Sequence, residues 1–596
     1  MSIKSRKEAD SAFMWDLSHI FENREKWNAA YERAGLGISE CADLKGTLAQ
    51  SEDSLLLGLE KIYEVAELVE LVYVYASLHK ESDNGDAEYQ DMEGRAVNLI
   101  VRFSSEIAFM NPEILSIGEA RLGEIIKSEK FSKYRHIIED IARMAPHTLD
   151  ENGEKMLAML SDAAAAPSDS FGMLESVDMT FPEITDKNGE AVELTHGNFR
   201  VYIESSDREL RREAYEKYFG EFRKYINTFA AMYSGAVKFD SYFARVRGFG
   251  DACESALFAS NVPTDVYDSL TSAVRAGLDS MKKYISLRRR ALGLDELQMY
   301  DLYCPLANLP NITVTYEEAC ETVKRACAPL GEEYVSLLER AFSEKWIDVY
   351  ENRGKTTGAF SCGVYGVHPY VLLNFTGTLD DMFTIAHELG HAMHSYFSDR
   401  AQDFANHDYK IMAAEVASTV NEVLLTKYLL KTETDPARRA YVLNHFLEGF
   451  RTTVFRQTLF AEFERRAHDM YDEGIPLTAE SLNSLYRELN LAYYDGVDIC
   501  GLHDIEWARI PHFYRAFYVY QYATGFCSAV AIADNIEQGC RVDDYLKFLS
   551  LGGSDYPIDE LKIAGVDLAS QETVTKALSV FDRTIDELEE ALGLKK

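Results

Sequence analysis

The residues with the clearest chemical meaning form the run His-Glu-Leu-Gly-His. Thr378 and Asp381, just upstream, form a capping box that predicts the start of a helix, and apolar residues continue the helical spacing past the motif. On that helix His391 lies one turn above His387, so both imidazoles can bind one zinc ion at about 2.0 to 2.1 Å each. Glu388 projects beside them and can take a proton from a metal-activated water. The motif predicts a hydrolytic zinc site.

Chance or core packing is the alternative explanation for two histidines four residues apart. The chain has 14 histidines in 596 residues. At this frequency roughly 0.05 chance matches to the motif are expected, which favours the metal site.

A catalytic zinc ion needs a third protein ligand and an open position for water. His394 lies about 10.5 Å along the helix axis from His387, so one ion cannot bind all three histidines. Residues 412–422 are rich in small side chains and predict a helix that can approach a neighbour closely. Glu415 and Glu422 share one face of it. We prefer Glu415 as the ligand and Glu422 as the partner of an imidazole, and the reverse assignment is the alternative. Weaker candidates lie in an apparent loop: Asp399, Asp403, His407 and Asp408.

A second group of polar aromatic residues follows near the C-terminus, namely His512, Tyr518, Tyr520 and Tyr522. Peptide hydrolysis passes through a tetrahedral oxyanion, which a tyrosine hydroxyl or an imidazole can stabilise. Aromatic residues at helical spacing are more often part of a core. Spacing alone therefore leaves both interpretations open, including which tyrosine faces the metal.

Upstream of the motif, residues 354–377 contain five glycines around the apolar run 370–375. The pattern predicts a mobile glycine-rich loop followed by a strand. An edge strand there could pair with an extended peptide through main-chain hydrogen bonds. An ordinary surface loop is the alternative.

Most of the remaining chain has helical periodicity, so the predicted fold class is mainly α, with a small β element next to the zinc helix. Residues 178–194 contain an Asn-Gly turn between two short stretches and predict a hairpin. The Pro, Ser and Asp content of residues 164–170 indicates a linker. We therefore place the main domain boundary between about 165 and 200 and divide the chain into residues 1–190 and 191–596.

The overall composition excludes several classes of protein. Lys and Arg number 61 against 98 Asp and Glu, a net charge of −37, which disfavours binding to nucleic acid or to an anionic membrane surface. Nine scattered cysteines without a Cys-x-x-Cys pair suit free thiols in a reducing compartment. The N-terminal residues show no signal peptide, and no segment is long and apolar enough to span a bilayer. We expect a cytoplasmic protein, and the oligomeric state is not predicted.

Several runs together resemble the thimet oligopeptidase-like zinc peptidases, in particular the oligoendopeptidase F branch. They are the segment ending HELGHAMHS, the downstream AEVASTVNE, the later PHFYRAFYVYQYATG and the early WDLSHIF. The resemblance implies zinc ligands at His387, His391 and Glu415, and a catalytic Glu388. It also implies an elongated multi-helix fold with a deep substrate channel walled by residues 1–190, and active-site tyrosines after His512.

These observations lead to one expected function and two alternatives. We expect a zinc metalloendopeptidase that holds one Zn²⁺ per chain and hydrolyses internal bonds of short, unstructured oligopeptides. A metallocarboxypeptidase would instead trim C-terminal residues. A non-catalytic peptide-binding protein is the third possibility, although it would have no use for the base Glu388 beside the water.

Overall fold

Helices make up most of the chain in the computed structural model, which describes residues 3–307, 313–499 and 501–595. Within these residues the α-helices are α1 Arg24–Ala42, α2 Glu52–Ser82, α3 Ala87–Glu106, α4 Met110–Ser116, α5 Glu119–Lys127, α6 Arg135–Arg143, α7 Glu151–Met173, α8 His196–Ile203, α9 Arg208–Lys224, α10 Ile226–Val246, α11 Ala252–Phe258, α12 Thr264–Ala276, α13 Leu278–Ala291, α14 Tyr316–Ala326, α15 Glu332–Ser343, α16 Leu379–Ala401, α17 Ile411–Thr432, α18 Pro436–Gly449, α19 Arg456–Asp472, α20 Ala479–Tyr493, α21 Tyr520–Glu537, α22 Val542–Leu549, α23 Pro557–Ile563 and α24 Glu572–Ala591.

The strands are few and short: β1 Glu183–Thr185, β2 Ala191–Glu193, β3 Leu297–Gln298, β4 Ile347–Asp348, β5 Phe360–Cys362, β6 Tyr370–Leu372 and β7 Val497–Asp498. Strand β1 pairs with β2 antiparallel, and β3 pairs with β7 in parallel. The remaining three form one sheet in the order β4-β6-β5. The predicted mainly α class is confirmed.

The described residues divide into two compact units, each assembled from separate stretches of the chain. The first takes in the described residues within 1–146, 312–425 and 532–565, and the second takes in those within 147–311, 426–531 and 566–596. Both units interleave the N-terminal and C-terminal parts of the sequence. The division into residues 1–190 and 191–596, which was based on the predicted linker and hairpin, stays a prediction.

The first unit begins with a bundle of helices α1, α2 and α3. Trp27 on α1 is fully buried and donates its indole N–H to the carbonyl oxygen of Val72 on α2, at 2.9 Å. The Tyr370 hydroxyl on β6 donates to the Asp16 carbonyl at 2.9 Å. Val364, Tyr370 and the bundle share one apolar core. The small sheet that precedes α16 is therefore fixed to the N-terminal helices.

The second unit contains a buried polar network just before His512. Glu506 accepts a hydrogen bond from Arg456 at 2.6 Å and another from the Tyr486 hydroxyl. His503, also buried, lies 3.2 Å from the same carboxylate and 2.8 Å from the Tyr215 hydroxyl. A buried carboxylate with this many partners stays ionised, and the pKa of Glu506 is lowered accordingly because its cationic neighbours outweigh its burial.

The hairpin predicted within residues 178–194 is confirmed. Ile184 on β1 faces Val192 on β2, and the Gly189 N–H donates to the Asp186 carbonyl at 3.0 Å. Gly189 has a φ of +83°, a conformation that residues with a Cβ rarely adopt. The Asn-Gly pair that predicted the turn thus supplies the glycine that the turn conformation requires.

The predicted linker at residues 164–170 is wrong, because the segment lies inside helix α7 with Pro167 in its interior. Four consecutive alanines precede the proline, and alanine has the highest helix propensity. Tertiary packing also supports the helix: a Cβ on Gly235 of α10 would come 3.1 Å from the Pro167 ring. A glycine on the neighbouring helix thus makes room for the proline.

The sequence predicted free thiols and no segment that spans a bilayer, and both predictions can be compared with the described residues. The eight cysteines among them are free thiols. None of their helices combines the length and apolar character that crossing a bilayer requires.

Candidate metal centre

The motif helix α16 starts where its capping box predicts. Thr378 accepts a hydrogen bond from the Asp381 N–H at 3.1 Å, and Asp381 accepts one from the Thr378 N–H at 2.8 Å. The Thr376 hydroxyl adds a third hydrogen bond to Asp381, at 2.8 Å. This end of α16 is therefore fixed locally, two turns before His387.

Close approach of α17 to α16 depends on Gly390, the fourth residue of the motif. A Cβ at this position would come 2.5 Å from the Ser418 Cα and 2.7 Å from the Ala417 carbonyl oxygen. The Asn421 side chain spans the same interface by donating to the Ala386 carbonyl at 3.1 Å, and it accepts from the Tyr334 hydroxyl at 2.9 Å. Only glycine allows the two backbones to pack this closely.

The packing brings His387, His391 and Glu415 together, with one potential ligand atom from each lying within 4.8 Å of the others. The Nε2 atoms of the two histidines are 3.2 Å apart, and His387 Nε2 lies 3.9 Å from Glu415 Oε2. Nitrogen ligands at about 2.0 to 2.1 Å in tetrahedral geometry would be about 3.3 Å apart. Among the described residues, this is the one group of such side chains close enough to share a metal ion.

Glu422 has a different partner. Its Oε1 lies 2.7 Å from His387 Nδ1, the ring nitrogen that faces away from His391. A carboxylate in this place accepts the Nδ1–H, which leaves the Nε2 lone pair available to a metal. The geometry agrees with the preferred assignment, in which Glu415 is the ligand and Glu422 orients an imidazole.

Charge and burial shift the pKa values of the two histidines in opposite directions. Burial acts to lower the pKa of His387, but the hydrogen bond and charge of Glu422 outweigh it and raise the pKa to about 9. Burial and the nearby His387 lower the pKa of His391 to about 3. The carboxylates around His387 thus create an anionic environment that favours a bound cation, and His391 is neutral, the form that binds metal.

Glu388 is buried, with 7% of its surface exposed. Burial raises its pKa to about 7, the His387 charge opposes this rise, and Glu415 and Glu422 add to it. A carboxylate that exchanges its proton near neutral pH has the driving force that a general base requires. Its properties therefore fit the role expected for the second residue of the motif.

The structure gives the other nearby candidates different surroundings. His394 is buried and stacks on the Tyr409 ring at 3.6 Å between centroids, so it is a packing residue of α16. His407 Nδ1 lies 2.9 Å from Asp399 Oδ1. Asp403 pairs with Lys133. None of these side chains belongs to the group around His387.

Three of the four C-terminal candidates, all in the second unit, lie together. His512 Nε2 is 3.3 Å from the Tyr522 hydroxyl, and the Tyr518 ring packs against His512 and Tyr522. Tyr520 is not part of this group: it is 3% exposed and packs on Tyr267. Tyr520, the first residue of α21, is buried, whereas Tyr518 and Tyr522 are partly exposed.

The strand interpretation of residues 370–375 needs a correction. Strand β6, Tyr370–Leu372, is the central strand of its sheet and not an edge, because it pairs with β4 on one side and β5 on the other. The strand Phe360–Cys362 is the edge that follows the first glycines. A continuous apolar run is typical of a strand buried on both sides, and this signal was available in the sequence.

Sequence reasoning missed three residues that position the site, namely Gly390, Asn421 and Tyr409. Gly390 was treated only as a spacer in the motif. A glycine in the interior of a helix weakens it by roughly 1 kcal/mol relative to alanine, so its presence there signals close packing. Asn421 and Tyr409 had no signal that separated them from ordinary polar residues.

A helix that presents His-Glu-x-x-His, combined with a carboxylate from a second helix in a mainly α fold, defines a metallopeptidase. Comparison with known sequences agrees with this class. Residues 201–580 match the profile of peptidase family M3, and residues 113–181 match a profile described as oligopeptidase F. Because the first match covers more than half of the chain, the protein belongs to peptidase family M3.

Individual relatives cover almost the whole chain. Oligopeptidase PepF of Bacillus subtilis is 43% identical over 594 residues, which are 99% of this chain and 89% of the relative. Group B oligopeptidase PepB of Streptococcus agalactiae is 40% identical, and the match covers 98% of both chains. The crystal structure of oligoendopeptidase-F from Enterococcus faecium superposes with a TM-score of 0.74 at 35% identity, over 96% of this chain and 100% of the other.

These findings confirm the resemblance to the oligoendopeptidase F branch and the prediction of a metalloendopeptidase. They also imply a metal, for which the group of two histidines and one glutamate is present.

Proposed function

We propose that this protein is a zinc-dependent endopeptidase that hydrolyses internal bonds of short, unstructured oligopeptides. The observation that carries the proposal is the convergence of His387, His391 and Glu415 beside the buried Glu388. The names of its relatives, oligopeptidase and oligoendopeptidase, support the substrate class.

The donor set supports zinc as the metal, at one ion per chain. Two imidazole nitrogens and one carboxylate are a common ligand set of catalytic zinc sites, in which a fourth position is open. When bound, zinc would polarise the scissile carbonyl and make a water molecule acidic enough to attack it. His387, His391 and Glu415 would hold the ion, and Glu422 would keep the His387 ring in the tautomer that binds it.

Glu388 is proposed as the general base. Its carboxylate takes a proton from the attacking water and passes it to the amine that leaves. Burial supports this role, because a carboxylate with a pKa of about 7 can both accept and return a proton near neutral pH.

His512, Tyr518 and Tyr522 are proposed as donors to the oxyanion that forms during hydrolysis. Their clustering, with the Tyr522 hydroxyl 3.3 Å from His512, supports a shared role. Tyr520, predicted with them, is the weakest of the four candidates because it is buried among aromatic residues.

The edge strand β5 is the proposed main-chain partner of the substrate. It lies against α16, and Gly358 and Ala359 lead into it beside a cavity of about 300 Å³ that Asn374, Asp381 and Thr384 also line. An extended peptide could add to this edge by backbone hydrogen bonds, which bind many sequences alike.

The free thiols and the strongly acidic composition support a cytoplasmic location and argue against nucleic acid as a partner. The proposed partners are oligopeptide substrates, as the names of the relatives indicate.

Digestion of a peptide pool of mixed length, followed by mass spectrometry, tests the proposal. We expect internal fragments that disappear when a chelator is added and return with zinc. Stepwise loss of single C-terminal residues would indicate a carboxypeptidase instead. Binding without any cleavage would indicate a peptide-binding protein.

A further inference from the structure

The segment that joins the two ligand-bearing helices, residues 402–410, is held in place by a charged cluster centred on His407. Its ring lies between two carboxylates of different helices: Nδ1 is 2.9 Å from Asp399 Oδ1 on α16, and Nε2 is 3.8 Å from Glu70 Oε2 on α2. The rings of Phe404 and Tyr365 pack on its faces, at 4.8 and 4.9 Å between centroids. His407 thus links the joining segment to two helices at once.

The opposite side of the segment packs on backbone. The Asn406 carbonyl accepts the Gly553 N–H at 2.8 Å, and a Cβ on Gly553 would come 2.2 Å from the Asp408 carbonyl oxygen. The Ser398 hydroxyl of α16 donates to the His407 carbonyl. The segment therefore has little freedom to shift without breaking several contacts.

The same segment reaches the metal centre through Tyr409. This side chain stacks on His394, and its hydroxyl lies 2.8 Å from the Ser395 hydroxyl and 3.5 Å from the His391 carbonyl oxygen. Helix α17 begins at Ile411 and presents Glu415 one turn later. The position of residues 407–409 thus influences where Glu415 lies relative to the two histidines.

We propose that His407 is a positioning residue for the metal centre: held between Asp399 and Glu70, it fixes the segment that carries Glu415 to its ligand position. The proposal rests on the proposed metal site and adds to it a residue outside the ligand set. Mutation of groups that orient metal ligands typically weakens metal affinity by about 10- to 100-fold.

The charge of the cluster supports this role. Burial acts to lower the pKa of His407, but the hydrogen bond to Asp399 and the charges of Glu70, Asp399 and Asp408 outweigh it, so the pKa is raised. Burial raises the pKa of Glu70 to about 7, with Glu67 as a further negative neighbour. Because the pKa of His407 is raised, its positive charge persists to a higher pH than that of an ordinary histidine and is lost as the pH rises through that pKa.

The test measures zinc affinity of the full-length protein by competition with a chromophoric chelator between pH 6 and 9. We expect His407→Gln to bind zinc about tenfold more weakly than the wild type at pH 6, and the difference to shrink at the alkaline end, where the wild type also loses the charge. Hydrogen exchange of residues 402–415 in the metal-free protein should be faster in the variant. Glu60→Gln, an exposed carboxylate on α2, is the matched control and should change neither readout.

Glu70→Gln keeps the shape of the cluster and removes one charge. Removing this charge lowers the pKa of His407. The contribution of His407 to zinc affinity should therefore be lost at a lower pH in Glu70→Gln than in the wild type, which a purely structural role for His407 would not produce. It also provides a readout if His407→Gln fails to fold.

Zinc affinity and exchange equal to the wild type in His407→Gln, or a difference that does not change with pH, would overturn the inference. Loss of zinc in Glu415→Ala together with normal zinc binding in His407→Gln would refute this inference alone. Normal zinc binding in Glu415→Ala would refute the proposed ligand set instead.

Discussion

At the scale of single residues, the chemistry of the centre depends on which of two glutamates on α17 reaches the metal ligands. Glu415 lies 3.9 Å from His387 Nε2, and Glu422 lies 2.7 Å from Nδ1 of the same ring. The two carboxylates therefore contact opposite edges of one imidazole. A ligand and an orienting group are expected to respond differently to mutation.

Glu415→Ala should abolish stoichiometric zinc binding, because it leaves only two protein ligands. Glu422→Gln should retain zinc with affinity reduced by about 10- to 100-fold, since an amide oxygen can still accept the His387 N–H. Metal analysis after dialysis and chelator competition measure both. Loss of zinc from the Glu422 variant alone would reverse the assignment.

Glu388→Gln should keep the metal and bind peptide but lose at least about 100-fold in kcat, because the amide cannot accept the proton of the attacking water. Stopped assays on a defined oligopeptide, together with metal analysis of the same sample, measure the change. Turnover close to that of the wild type in the metal-loaded variant would eliminate Glu388 as the base.

Variants of the C-terminal aromatic residues separate oxyanion donors from core residues. If they donate to the oxyanion, His512→Ala, Tyr518→Phe and Tyr522→Phe should each lower kcat by about 10² to 10³, the cost of losing one such donor. KM should change little. Tyr520→Phe is the matched control, because its ring is buried and should tolerate loss of the hydroxyl. Normal turnover in all four folded variants would assign the whole group to packing.

At the scale of secondary-structure elements, the centre depends on two helices that pack with almost no space between their backbones. Gly390 faces Ala417 and Ser418, and Asn421 bonds across to Ala386. Backbone contacts of this kind cannot adjust as side chains do. The separation of α16 and α17 therefore sets the distance from Glu415 to the histidines.

Gly390→Ala should destabilise the protein by about 1 to 3 kcal/mol or more, because its methyl group overlaps backbone atoms of α17. Zinc affinity should fall with it as the helices move apart. Gly94→Ala on α3 is the matched control: no atom beyond its chain neighbours and its own helix backbone lies within 4 Å of the Cβ position, and alanine favours a helix. Chemical denaturation and chelator competition of both variants measure the effects, and equal stability would show that the interface can relax.

At the scale of the whole molecule, the substrate channel that the family resemblance implies remains a prediction, and its consequence is selection by size. A narrow channel admits an extended strand and excludes a folded domain. The net charge of −37 should in addition favour basic peptides at low ionic strength.

We expect short peptides to be cut with a much higher kcat/KM than a long, soluble, denatured protein that contains the same cleavage site. Competition between the two substrates in one reaction, read by mass spectrometry, provides the measurement. Internal cleavage of the denatured protein at comparable kcat/KM would show that no size filter exists. Repeating the assay at raised salt separates size from charge, since only the charge preference is screened.

The sequence by itself determined what depends on near neighbours along the chain. Three features act within a few residues of one another: the capping box of Thr378, the spacing of His387 and His391, and the Asn-Gly turn that contains Gly189. The helical period and turn chemistry were therefore sufficient to predict them. The tertiary structure decided the rest. Whether Glu415 or Glu422 reaches Nε2, whether β6 is a central or an edge strand, and whether Pro167 ends a helix depend on packing between residues far apart in sequence, which local periodicity does not encode.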